Sequence, residues 1–394
     1  MFLQVHFLTS YHASLLNRDD AGLAKRIRFG GGERLRVSSQ AQKRRWTEWM
    51  RTQTSLPTAL RSRHFFAREL KRRLIEAGMD EEKTHNLILY LAKSILTAAG
   101  GKEALDKESL AMKQPVLFGK PEADFFVKLL LEADQQGNEE EGKAFIDERI
   151  KKAKNNFRAL LQQSGSPDPF VGIEGALFGR FITSDILTRV DAPLHVAHAF
   201  TTHAIDTEVD FFTVVDELLL DEETGAAHAG DMELGSGIFY GYVVADIPLL
   251  ISNLTGCDRS RWREEDSSDA RALLDLLIQA ITQVTPGAKL GATAPYARAE
   301  FVMLEVGQAQ PRSLANAFLD PVNLELTGRH PMGQSIAKIA EYLNALESMY
   351  GDTGEDRFTS SVYSWPRDEE QVLPLNDAVR GAFAALFNSE GERP

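Results

Sequence analysis

The cations between Asn17 and Arg51 are the residues best placed to do chemistry, and the chemistry they suit is the gripping of a polyanion. Arg18, Lys25, Arg26, Arg28, Arg34 and Arg36 lead into Ser38-Ser39-Gln40, and Lys43 and Arg44 follow. Ser39-Gln40-Ala41-Gln42 has the S-x-x-Q spacing of a capping box, which predicts a helix starting near Ser39. On a helical period Trp46, Trp49 and Met50 share one side, while Gln40, Lys43, Arg44, Thr47 and Arg51 share another. The first side packs; the second is free to meet phosphate. A helix start carries unpaired N–H groups and the positive end of the dipole, so Ser38, Ser39 and Gln40 stand where an anion is favoured. Gly30-Gly31-Gly32 lets the backbone turn tightly or approach a ligand, but no Gly-Lys-Ser/Thr follows, which excludes a nucleoside-triphosphate P-loop. The pattern reads as an RNA-gripping element, and a solvated basic helix beside a loop is the competing reading.

A second constellation is His195, His198 and His203, followed by Asp206, Glu208 and Asp210. Imidazole and carboxylate are ordinary metal ligands, so a metal-dependent hydrolase is the enzyme-class alternative. The spacing matches no strong zinc signature, and core or hydrogen-bonding histidines are the expectation, with no metal and no cofactor.

The chain has 394 residues, 43% apolar and 26% charged, enough for two or three domains with a substantial core. The single Cys257 excludes an internal disulfide framework and fits a reducing compartment. The most apolar stretch, Ile238 to Ile251, is interrupted by Asp246 and Pro248, so no membrane span is expected. The opening MFLQVHFL lacks a basic leader and reads as a strand, which makes a cytoplasmic protein the expectation. The net charge of −13 conceals a segregation: residues 1–73 carry 16 Lys/Arg against 5 Asp/Glu, and the remainder 28 against 52. Between Arg189 and Arg259 there is no Lys or Arg, but there are thirteen Asp/Glu. Such a tract is solvated, contacts nucleic acid by stacking, or faces a basic partner, another copy of the chain included.

The elements that must position these residues follow from periodicity. Residues 1–9 alternate as a strand, with Leu3, Val5 and Phe7 on one face. From about Leu60 to Gln163 the pattern is helical, broken at Gly78, Gly100-Gly101 and Gly137 to Gly142. Strand-like runs follow at Ile173 to Phe178, Phe181 to Ile182, Val190, and Ile238 to Val244. Phe211, Phe212, Val214 and Val215 sit in the acidic tract as an extended lobe. Ala270 to Gln283 is an amphipathic helix, Ala299 to Val306 a strand, and helices near Ser335–Tyr350 and Asn376–Phe387 close the chain. The order predicts an α+β sheet domain interrupted by insertions, and an RRM-like sheet would fit although the aromatic RNP motif is absent.

Several motifs occur together in order: Asn17-Arg18-Asp19-Asp20, Phe29-Gly30-Gly31, Arg36-Val37-Ser38-Ser39-Gln40 with Lys43-Arg44, and Gly179-Arg180-Phe181. Ala197-His198-Ala199-Phe200-Thr201-Thr202-His203, Asp210-Phe211-Phe212-Thr213 and Ser236-Gly237-Ile238-Phe239-Tyr240 continue the series. With Pro286 to Lys289 and Ser313 to Phe318, the set resembles the CasC (Cse-type) backbone subunit of type I-E CRISPR Cascade over most of the chain. The resemblance implies an RRM-like (ferredoxin-like) palm with an inserted helical fingers domain and a thumb hairpin. On this chain the pieces would be palm 1–58, fingers 59–163, palm 164–203, thumb 204–236, and palm with C-terminal helices 237–394.

It also implies a non-catalytic protein whose copies stack head to tail along a CRISPR RNA, each thumb folding over the neighbouring palm and kinking the guide. Partners would be that RNA, further copies, other Cascade subunits and, through guide pairing, target DNA. Arg18, Lys25, Ser38, Gln40, Lys43 and Arg44 resemble the family's guide-backbone contacts, with Ser39 beside them at the helix start. Phe181 falls where the family sets an apolar residue against the bases, and Phe211, Phe212 and Thr213 match thumb residues that wedge at the kink. The departure is Trp46-Thr47-Glu48 in place of a more basic helix end. Related backbone subunits cut target RNA with an aspartate in the loop of Asp19 and Asp20; here the expected role of these carboxylates is to order the loop. A non-polymerising RNA-binding adaptor remains the other alternative.

Overall fold

The computed structural model describes residues 1–96, 105–153, 157–182, 187, 189–214, 228–287, 290–325, 330–367 and 370–388. The chain divides into two compact units. The first comprises Met1–Gln53, His195–Ile247 and Arg271–Pro394, and the second Thr54–Leu194 with Pro248–Ala270.

The first unit is built on strand β1 (Phe2–Ser14), which pairs antiparallel with two later strands. Hairpin strands β2 (Arg26–Phe29) and β3 (Gly32–Val37) follow it. The second unit supplies a separate ribbon of β4 (Ala59–Ser62) and β5 (Val116–Gly119). The chain then returns with β6 (Leu194–Val196), β7 (Ala199–Thr201), β8 (Thr207–Val214) and β9 (His228–Asp246), and closes the sheet with β10 (Ala299–Gly307) and β11 (Asp356–Ser361). The main order is β11-β10-β1-β9-β7-β3-β2, with β6 and β8 also pairing with β9. One helix, Ser39–Gln53, follows the first hairpin, and another, Ser268–Gln283, lies in sequence between β9 and β10.

The expected first strand is present and longer than its alternation indicated, because β1 keeps pairing with β9 as far as Ser14 on Gly235. Both faces of β1 are buried. Leu3, Val5 and Phe7 pack on one side; Gln4 and His6, on the other, are buried with hydrogen-bond partners. His6 lies 2.9 Å from the Tyr240 hydroxyl and 3.0 Å from Glu305, and Gln4 accepts from the Tyr242 hydroxyl at 2.6 Å. Buried polar groups persist only when paired in this way.

The second unit is helical, as the periodicity predicts, around Phe65, Phe66, Leu87, Leu91, Phe126 and Leu130. Phe65 stacks on Phe118 of β5 with ring centroids 3.9 Å apart. One strand expectation fails: Gly172–Phe178 is a helix. A short apolar run buried all round carries no period that separates strand from helix, and here flanking glycines decide. Gly172 and Gly179 take positive φ at the two ends, and buried Glu174 inside the helix accepts from the Ala59 N–H at 2.7 Å. Phe181 and Ile182 lie outside regular strand; among the described residues of this stretch, Arg180 and Val190 form a bridge.

Candidate nucleic-acid interface

The loop after β1 is shaped by its own side chains. The Asn17 carbonyl accepts from the Lys25 N–H at 2.8 Å, and Asn17 Oδ1 accepts from the Ser38 N–H at 2.9 Å. One residue thus ties both ends of the loop to the helix start. Asp19 Oδ1 accepts from the N–H groups of Ala21 and Leu23 at 2.9 and 3.0 Å, an Asx turn that leaves Arg18 exposed and Lys25 half-buried. Ordering the loop is what was expected of this carboxylate.

The triple glycine makes a hairpin turn. Gly30 has φ +55°, the Gly31 N–H donates to Leu319 O at 2.8 Å, and a Cβ on Gly30 would fall 1.9 Å from that carbonyl oxygen. Backbone approach to backbone accounts for the glycines here. Arg34, grouped by sequence with the anion-seeking cations, is instead fully buried, donating to Thr201 O and Phe318 O at 3.1 and 2.8 Å. Those acceptors lie far along the chain, so its role as a structural tie was invisible in local sequence. Arg26 is also taken, by Glu233, which accepts from the Ala24 N–H as well.

The helix begins at Ser39 as predicted, but the cap is displaced by one residue. Ser38 Oγ accepts from the Ala41 N–H at 3.3 Å, while Gln42 turns away and donates to Val37 O and Ala197 O at 3.3 and 3.0 Å. Ser39 donates to the Gln40 amide oxygen at 3.3 Å. Trp46 and Met50 are buried and Trp49 half-buried, so the packing side is the expected one with Gln42 added. Gln40, Arg44 and Arg51 are exposed on the opposite side, with Lys43 and Thr47 half-buried. Burial lowers the Lys43 ammonium pKa. Arg44, 80% exposed, bonds Glu48 at 2.9 Å, and that bond is the chief cause of the lowered Glu48 pKa. Such a surface pair is weak and can be exchanged for another anion.

Arg36 and His198 add a contact that sequence reading missed, 3.0 Å from guanidinium nitrogen to Nδ1. Burial, then the charges of Arg36 and Lys25, lower the His198 pKa, which suits a neutral ring accepting from Arg36. His203 is buried between the Ala204 carbonyl, 2.7 Å from Nδ1, and the Ile238 N–H, 3.2 Å from Nε2, with burial again lowering its pKa. These two rings make hydrogen bonds within the fold, and His195 is exposed. Among the described residues no three His, Cys, Asp or Glu side chains form a metal-binding group.

The acidic tract forms a hairpin of β8 with the first half of β9, from Thr207 on Gly235 to Val214 on His228. Asp206, Glu208 and Asp210 are exposed, as are Val209 and Phe211, the latter 68%. Phe212 and Thr213 continue the strand opposite Gly230 and Ala229, and their side chains lie outside the described residues, as does the tip at 215–227. In the second unit Phe181 is 83% exposed with Arg189 over its ring at 5.4 Å. Its neighbour Arg180 is buried and donates to both Glu122 carboxylate oxygens at 2.7 and 2.6 Å. The first unit thus brings together Arg18, Lys25, Ser38, Ser39, Gln40, Lys43 and Arg44 around one helix start.

Residues 3–386 match the family model of the CT1975-like protein. A chain of a CRISPR RNA-guided surveillance complex in a pre-nicking state is similar in structure, with TM-score 0.76, 24% identity, and 98% of this chain and 100% of that chain covered. A chain of another CRISPR RNA-guided surveillance complex is similar with TM-score 0.57, 21% identity, and the same coverage. Comparison with curated proteins gives no significant match. The chain therefore belongs to the CT1975-like protein family, and the Cascade backbone resemblance carried by its motifs holds at the level of family and fold.

Proposed function

We propose that this protein is the RNA-binding backbone subunit of a type I-E CRISPR Cascade surveillance complex. The observation that carries this reading is the convergence of loop, cap and helix on one helix N-terminus, where Ser38 and Ser39 are buried and exposed cations stand beside them. There Asn17 and Ser38 fix the backbone while Arg18, Gln40 and Arg44 remain exposed. The order β10-β1-β9-β7, all antiparallel, with helix Ser39–Gln53 in sequence between β1 and β7 and helix Ser268–Gln283 among those between β9 and β10, supports an RRM-like, ferredoxin-like palm. On this reading residues 59–163 are the fingers, 204–236 the thumb, and 1–58, 164–203 and 237–394 the palm.

Copies assemble head to tail along the guide, and the thumb kinks it with Phe211, Phe212 and Thr213 while Phe181 meets the bases. Exposed aromatic faces suit a guide of any sequence, because stacking is worth about 1–3 kcal/mol per base whatever the base. Sequence is read by pairing between guide and target DNA, so the protein has no need of base-specific contacts and no catalytic role. It works in the cytoplasm with other Cascade subunits.

Assembly uses the charge segregation, the acidic hairpin of one copy facing the basic palm of the next as a heterologous contact. Asp206→Lys, Glu208→Lys and Asp210→Lys together are expected to reduce the mass of particles formed with guide RNA, measured by light scattering. The difference from wild type narrows in high salt. Particles of wild-type mass at low salt would contradict the contact.

A further inference from the structure

The fold sets His198 in a cationic neighbourhood. Where β3 pairs with β7, Arg36 lies across from Phe200 and Val37 across from Ala199. One step further along this register His198 stands across from Ser38, with Arg36 as its diagonal neighbour. The two side chains meet, an Arg36 guanidinium nitrogen lying 3.0 Å from His198 Nδ1. Lys25 is joined to the same place, because the Arg36 N–H donates to Lys25 O at 2.8 Å. His198 is exposed, and Lys25 and Arg36 are half-buried.

No acidic group offsets these charges: among the described residues no carboxylate pairs with Lys25, Arg36 or His198. The helix and β9 reach this segment through neutral groups. Gln42 donates to Ala197 O at 3.0 Å, and Tyr242 O accepts from the Ala197 N–H at 2.9 Å. The charged groups that face His198 are therefore Arg36 and Lys25; burial first, then these two charges, lower its pKa. A guanidinium donates and cannot accept, so the contact at 3.0 Å makes Nδ1 the acceptor and the ring neutral. Protonating Nδ1 removes that bond and sets a second cation against Arg36, an arrangement that an entering anion relieves.

We propose that His198 is a further contact for the guide, taking one phosphodiester of the bound RNA together with Lys25 and Arg36 and gaining a proton as the phosphate enters. The proton comes from solvent and adds to Nδ1, which frees the Arg36 nitrogen to donate to the phosphate. The site rests on the proposed role in guide binding and makes that binding depend on pH. In the free chain the ring is neutral at neutral pH, its pKa lying below the ordinary 6.5, and a bound phosphate raises that value. Binding takes up a proton between the two values, so affinity rises as pH falls through the bound value and levels off below the free one.

The test is fluorescence anisotropy of the full chain, washed free of co-purified RNA in high salt, with labelled guide-length CRISPR RNA. Affinity is followed from about pH 8 to about pH 5.5 at constant ionic strength. His198→Gln keeps an acceptor for Arg36 but cannot titrate, while the other histidines are common to both chains and cancel in the comparison. Relative to this variant, wild type should gain on the order of tenfold in affinity on acidification. Near pH 8 the two should bind alike, with the same thermal midpoint. The slope of log affinity against log salt should steepen on acidification by about 0.7 more in wild type than in the variant, one further contact on a single strand. An equal pH dependence in the two chains overturns the site and leaves the guide reading standing. Failure of both chains to bind the RNA at any pH overturns the two together.

Discussion

Arg18→Glu combined with Arg44→Glu is expected to strip the guide from the protein, cutting the RNA recovered per mole of tagged chain by on the order of tenfold or more. Both side chains are exposed beside the helix start, and Arg44 has only a surface pair with Glu48 to lose. The new like-charge pair at Glu48 costs only a few tenths of a kcal/mol, within the usual range of about 0.5 kcal/mol for surface substitutions. The thermal midpoint should therefore hardly move while RNA is lost. Because two phosphate contacts disappear, the salt slope for guide-length RNA should fall by about 1.4, at about 0.7 per contact on a single strand. Wild-type RNA recovery would show that this face does not hold the guide.

The largest effect on stability is expected at Glu305. Its carboxylate is fully buried on β10 and takes contacts from His6 at 3.0 Å, Arg312 at 2.7 and 2.9 Å, and Arg357 at 2.7 Å. Burial opposes its charge, but the bonds from His6 and Arg312 outweigh that and hold the pKa well below the ordinary 4.5. Glu305→Ala leaves the two guanidinium groups short of a buried anion and should cost about 3–5 kcal/mol by urea denaturation at neutral pH. Since the folded state holds this proton less tightly than the unfolded chain, the carboxylate contributes its full stability above about 4.5. That contribution is lost as pH falls through the depressed folded value. The gap between wild type and variant should therefore be widest near neutral pH and shrink in acid; a gap independent of pH down to the acid transition would show that the charge of Glu305 does not matter.

Much of this structure was legible because its signals are local. A hydroxyl beside the first turn announced the helix at Ser39, although hydrogen bonding showed Ser38 and not Ser39 to be the cap. Amphipathic spacing likewise found the helices Ser268–Gln283, Pro331–Tyr350 and Leu375–Phe387 to within a few residues. The candidate contacts from Arg18 to Arg44 could be gathered from sequence because one continuous segment supplies them.

Partners distant in sequence were not legible. Arg34 looked like its neighbours until Thr201 O and Phe318 O enclosed it. The β2–β3 hairpin was hidden because its strands are short and the alternation of Ile27, Phe29, Leu35 and Val37 is interleaved with Arg26, Arg28, Arg34 and Arg36, a pattern a solvated basic loop also shows. Gln42 has an amide suited to capping, yet the carbonyl of Ala197, unpredictable from local spacing, claims it.

The most direct test of the central claim is to co-express the chain with the other Cascade subunits and a CRISPR array, purify through a tag on this chain, and sequence the RNA that accompanies it. The account predicts repeat-derived guide RNA in a large particle holding several copies of the chain. A monomer carrying mixed cellular RNA, or a particle without RNA, would contradict it.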